Sequence, residues 1–146
     1  MSTATYLRTR VDPVPRTLGV ALGDAVAVVA FVTAGVVQHG GDPVGDPARV
    51  VGSAAPFLLS WAVVAFVGCL YTSDAVASPR RAVSWAVPAW VLATLLGHAI
   101  RASPAAPGGT TIEFVLVTLA IGGLLVVSWR LVASLFVGRL SSKTPT

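Results

Sequence analysis

Four long apolar runs, at 17–37, 50–71, 82–100 and 111–137, carry only three formal charges between them: Asp24, Glu113 and Arg130. A helix rises about 1.5 Å per residue, so about 20 apolar residues cross a hydrocarbon core of ~30 Å. Each run reaches that length or falls within a residue of it. The implied fold class is all-α: a four-transmembrane-helix up-down bundle, because short connections make successive helices antiparallel neighbours. Residues 1–16 read as a polar N-terminal segment, 17–137 as the integral membrane domain and 138–146 as a C-terminal tail.

Charged residues make up 11% of the chain and hydrophobic ones 55%. Soluble domains carry about 25% charged residues, so most of this surface is expected to face lipid. The helices and their connections leave no room in 146 residues for a separate soluble catalytic domain. The net charge of +4 raises nucleic acid as a partner, but the placement of the basic residues argues against it. Arg8, Arg10, Arg16, Arg80, Arg81, Arg139 and Lys143 flank one set of ends, against Arg49 and Arg101 at the other. Basic residues mark cytoplasmic loops. The expected topology is therefore N-in/C-in: a multi-pass protein of the cell membrane, both termini cytoplasmic, with the lipid bilayer as its partner.

Cys69 is the single cysteine, which excludes an intrachain disulfide and reads as an apolar filler. The first run is too long for a signal-peptide core of about 7–15 residues and reads as an uncleaved helix. The segment to Pro15 is expected to lie loosely on the membrane face. Gly-Asp-Pro repeats at 41–43 and 45–47 predict successive turns, not a calcium loop. Gly19 and Gly23 form a GxxxG, and Thr118, Gly122 and Gly123 a second small-residue surface; both suit close helix packing.

Asp24 is the most demanding residue, since a mid-helix aspartate costs roughly 2.5–3.5 kcal/mol on insertion scales. It lies ~10 Å into the first run, and Arg130 lies ~28 Å along the inward-running fourth. Those depths are similar, so Asp24 and Arg130 are expected to form an ion pair or part of a polar path. His39, His98, Arg101 and Glu113 fall near the opposite ends and form a candidate external polar cluster. Trp61 and Trp90 lie deep enough to line a cavity, beside Pro56 and Pro88, which remove backbone donors. Two histidines on different helices match no metal signature, and no Ser-His-Asp group, P-loop, HExxH or CxxC is present. No catalytic residue, metal or cofactor is expected, and enzyme activity is not.

Read together, these residues resemble the prokaryotic membrane family catalogued as domain of unknown function 3054, from about residue 16 to 137. The resemblance rests on Asp24, Phe31, Gly35 and His39-Gly40, then Pro56-Phe57 and Trp61, then Pro88, Trp90, Gly97 and Arg101, and finally Phe114 and Trp129-Arg130. The chain departs from that pattern at Val36-Val37-Gln38, where the family is more basic. The resemblance implies a compact four-helix membrane protein without an assigned activity, and it singles out Asp24, His39, Arg101 and Arg130. The leading functional expectation is a small integral membrane protein that binds or transports a small solute or proton along a polar path, which in so small a bundle would call for a homo-oligomer. The alternative is a non-transporting accessory or assembly subunit that travels with a membrane-protein partner.

Overall fold

The computed structural model describes residues 9–104, 106 and 108–141, with side chains through 136. Among these the chain is all-helical, with four helices long and apolar enough to cross a membrane and no strand. They are α1 (Pro15–Gln38), α2 (Pro47–Val67), α3 (Pro79–Ala102) and a fourth span built of α4 (Ile112–Val117), a π-helical turn (Thr118–Gly122) and α5 (Gly123–Ser141). The principal packing pairs are α1 with α2, α2 with α3, α3 with α5 and α5 with α1.

Three of the helices begin earlier than the apolar runs, and proline is the reason. Pro15, Pro47 and Pro79 each open a helix, where the missing N–H has no intrahelical acceptor to lose and φ is already helical. Asp46, Ser78 and Thr111 cap the helices they precede by accepting the amides of Arg49 (3.1 Å), Arg81 (3.3 Å) and Phe114 (3.3 Å). In the first loop the predicted turns close when Asp42 Oδ1 accepts the Val44 amide at 2.9 Å and its carbonyl accepts Asp46 N. Backbone donors from Gly45 and Val44 hold the Asp42 carboxyl below its ordinary range.

The second helix ends earlier than its apolar run, which continues to Tyr71. Gly68 terminates α2, Cys69 takes a left-handed conformation (φ 56°), and the Leu70 amide reaches back to Ala65 O (2.9 Å). This is a Schellman motif with cysteine where glycine is usual. It turns Leu70 and Tyr71 back under the helix they follow. From residue 9 onward the N-terminal segment is not loose, contrary to expectation; residues 1–8 lie outside the described residues. Asp12 N donates to Tyr71 O (2.9 Å), Asp12 Oδ2 accepts the Ser73 amide (2.6 Å), and Arg10 Nη1 donates to Val67 O (2.6 Å). Residues 10–17 thus clasp the α2–α3 loop.

The core is small and aromatic: Val28, Phe31, Val32, Phe57, Trp61, Trp90 and Val126 are buried together. Leucines and valines point outward instead, among them Leu22, Leu59, Leu92 and Leu124, as expected where the solvent is hydrocarbon. Glycines admit the indoles. A Cβ at Gly23 would fall 1.9 Å from Trp129 Cε2, and one at Gly122 would fall 2.5 Å from Trp90 Cζ2. The second glycine pair therefore receives a tryptophan, as does Gly23, whereas Gly19 has nothing within 4 Å.

Candidate functional site

Two polar clusters are buried in the bundle, and they differ in how well their charges are compensated. The first joins α1, α2, α5 and the α2–α3 loop. Arg130 Nη2 donates to Asp24 Oδ2 at 2.6 Å and Nε donates to both carboxylate oxygens at 3.1 and 3.2 Å. Both side chains are fully buried. Tyr71 Oη donates to Asp24 Oδ2 at 3.0 Å, and Trp61 Nε1 lies 2.9 Å from Tyr71 Oη and 3.3 Å from Oδ2. Arg130 Nη1 donates to Leu70 O at 3.4 Å, and its guanidinium lies 5.3 Å from the Trp61 ring and 5.4 Å from that of Tyr71.

A buried ion pair offsets its desolvation only when further hydrogen bonds satisfy the remaining lone pairs and protons. Here Tyr71, Trp61 and Leu70 supply them. The Schellman turn is what makes this possible, because it delivers both the Leu70 carbonyl and the Tyr71 hydroxyl to the pair. Tyr71 is in turn held by Asp12 through its carbonyl oxygen.

The second cluster joins α3 to the start of the fourth span. The Thr118 hydroxyl donates to Phe114 O at 2.7 Å, so its oxygen is left to accept from His98 Nε2 at 3.2 Å. His98 Nδ1 then accepts from Thr110 Oγ1 at 2.5 Å. Thr118 thus calls for a proton on Nε2, and in that neutral tautomer Nδ1 is the acceptor toward Thr110. The imidazole stands edge-on to Phe57 (5.0 Å) and Phe114 (4.8 Å).

Arg101, one turn further along α3, is only 8% exposed. Its Nε donates to Gly109 O at 3.2 Å, and its guanidinium sits 5.3 Å from the Phe114 centroid. Nη1 is buried with no acceptor, and no carboxylate pairs with Arg101 among the described residues. Gly108, at φ 122°, passes so close that a Cβ there would meet Nη2 at 2.4 Å. Thr94 Oγ1, on the same face of α3, is also buried without a hydrogen-bond partner among the described residues.

Trp61 and Trp90 separate the two clusters. Their rings lie 5.8 Å apart, with Trp61 hydrogen-bonded toward Asp24 and Trp90 Nε1 donating to Thr118 O at 3.1 Å. Both are packed core residues and line neither the groove between α2 and α3 nor the one between α1 and α5. His39 and Glu113 are exposed, His39 at the C-cap of α1 and Glu113 in the first turn of α4, and the structure does not bring them to His98 and Arg101. Among the described residues no group of three or more His, Cys, Asp and Glu side chains is placed to hold a metal ion.

Sequence reasoning missed Tyr71 as a partner of Asp24, along with Thr110 and Thr118 as partners of His98. Gly68 is the signal for the first, since a glycine three residues before a tyrosine marks a helix stop. No signal in the sequence marks the other two.

No curated protein and no solved structure matches the chain. A family profile does match, over residues 21–133, a stretch that includes Asp24, Tyr71, His98, Arg101 and Arg130. That match covers most of the molecule, and the chain belongs to the family described as "Protein of unknown function (DUF3054)".

Proposed function

We propose that the chain is a multi-pass protein of the cell membrane, with cytoplasmic termini and helices in up-down order, that binds a small anionic solute at Arg101 and does not conduct one. The seven-to-two distribution of basic residues supports the orientation. The contacts of Val11 and Asp12 with Tyr71 put the start of α1 beside the end of α2, which supports the alternation.

The observation that carries the binding reading is Arg101 Nη1, buried with no acceptor among the described residues. A buried guanidinium without a counter-charge is costly. Its planar fork fits the paired oxygens of a carboxylate or phosphate. Conduction is disfavoured by the other cluster. The Asp24 charge is already engaged by Arg130, and the two intervening indoles are donors only, unable to relay a proton.

The test is thermal unfolding of purified protein titrated with acetate or inorganic phosphate at constant ionic strength. Wild type should gain stability saturably with one of these anions, while Arg101→Gln should not. Equal responses in the two proteins, or none in wild type, would overturn the reading. Complete satisfaction of the Asp24–Arg130 pair also favours a second reading, a non-transporting accessory subunit. That reading predicts a stoichiometric membrane-protein partner after gentle extraction.

A further inference from the structure

A groove of about 520 Å³ runs between α2 and α3, at the end of the bundle where the α2–α3 loop lies. Its walls are apolar, formed chiefly by Val63, Val67, Leu70, Trp85, Pro88 and Leu92. Val63, Val67 and Leu92 are more than half exposed, so the groove opens outward along the face read as lipid-facing. Its volume lies within the range of about 300–1,000 Å³ typical of small-molecule sites.

The rim is polar and basic on one side only. Ser84 lines the groove, and Pro88, four residues on, supplies no N–H to the Ser84 carbonyl. An acceptor is therefore left at the rim. Arg80 and Arg81 precede Ser84 by one helical turn, and both are exposed. Arg81 pairs with Asp74 at 2.9 Å, whereas Arg80 forms no ion pair among the described residues. Arg10 reaches the same end, donating to the carbonyl of the groove residue Val67. Arg80 and Arg81 against Asp74 leave the α3 side of the rim with an excess of positive charge, while Arg10 stands beside Asp12, which accepts the Ser73 amide of the same loop.

We propose that the groove binds an anionic glycerophospholipid, with one acyl chain along the α2–α3 walls and the phosphate held by the arginines of the rim. A glycerol or headgroup hydroxyl would supply the donor that the Ser84 carbonyl lacks. This site lies at the opposite end of α3 from Arg101, about 30 Å away for 20 residues of helix, so the two sites are separable by mutation.

The experiment is native mass spectrometry of the full chain extracted from nanodiscs of equal phosphatidylglycerol and phosphatidylcholine. Wild type should retain one lipid per chain, with phosphatidylglycerol preferred by about fivefold for each contributing arginine. The double variant Arg80→Gln/Arg81→Gln should still retain a lipid but lose most of the preference, keeping at most the contribution of Arg10. Leu92→Trp, which fills the groove from an exposed position, should retain neither lipid. Three results would overturn the proposal: no lipid retained by wild type, an unchanged preference in the double variant, or a second copy of the chain in place of lipid.

Discussion

Arg130 and Asp24 meet across α5 and α1 with Nη2 2.6 Å from Oδ2, and neither side chain keeps any accessible surface. Two features far apart in sequence deliver the rest of the cluster. Trp61 projects from the body of α2, and Tyr71 is folded back by the turn that ends it. Removing one partner of such a pair leaves an uncompensated charge in the interior. Asp24→Asn or Arg130→Gln should each destabilise the protein by about 3–5 kcal/mol. The neutral double variant should lose less than the two single losses combined, which chemical unfolding in detergent will measure. Reversing the charges should restore only part of the loss, because Tyr71 and Trp61 would then present donors to an arginine.

Tyr71→Phe isolates the contribution of the hydroxyl. It removes a donor to Asp24 and leaves Trp61 Nε1 with only the longer contact to Oδ2. A loss of about 1–3 kcal/mol is expected for an unsatisfied buried polar group, smaller than that of Asp24→Asn in the same assay.

Asp12 gives the clasp a pH dependence. Its carboxyl is held below the usual value first by the Ser73 amide, then by the Ser73 hydroxyl and the charge of Arg16. A depressed folded-state pKa contributes stability that is complete above the unfolded value of about 4 and lost as pH falls through the folded one. The protection factor of the Ser73 amide, its exchange relative to the intrinsic rate at each pH, should therefore be high at neutral pH and fall below about pH 4. Asp12→Asn should exchange faster at neutral pH and lose that acid dependence. Reading the Ser73 amide separates this from Asp42, which titrates over the same window in the first loop.

The two glycines of the GxxxG should part company. Gly19→Ala meets nothing within 4 Å and should be neutral or stabilising by up to about 1 kcal/mol. Gly23→Ala collides with the Trp129 indole and should cost about 1–3 kcal/mol, since the ring must be displaced from its hydrogen bond to Val20 O. Melting temperatures of the two variants, measured side by side, will show the difference.

The four spans were legible because hydrocarbon imposes length and apolarity on any helix that crosses it. The Asp24–Arg130 contact follows from depth, which residue counting supplies. What counting does not supply is azimuth. His39 and Glu113 lie at plausible levels yet are exposed, whereas His98 and Arg101 are buried. The Schellman turn was hidden by an apolar run that continues through Gly68 to Tyr71 although the helix does not. The clasp by Asp12 was unreadable because its partners, about 60 residues away, are the backbone groups of Tyr71 and Ser73, which every sequence has.

The π-helical turn in the fourth span has a consequence for phase. Its buried residues Thr118, Gly122, Val126, Arg130 and Ser134 recur at every fourth position. On an uninterrupted α-helix each such step would rotate by about 40°, drifting some 160° over the series. The wider turn takes back roughly one residue, about 100° of that drift, so His98's partner and Asp24's partner both face inward. A regular α-helical turn over 118–122, with no residue removed, would keep every functional group in the same order. It would nevertheless swing Arg130 out toward the acyl chains and strand Asp24 alone.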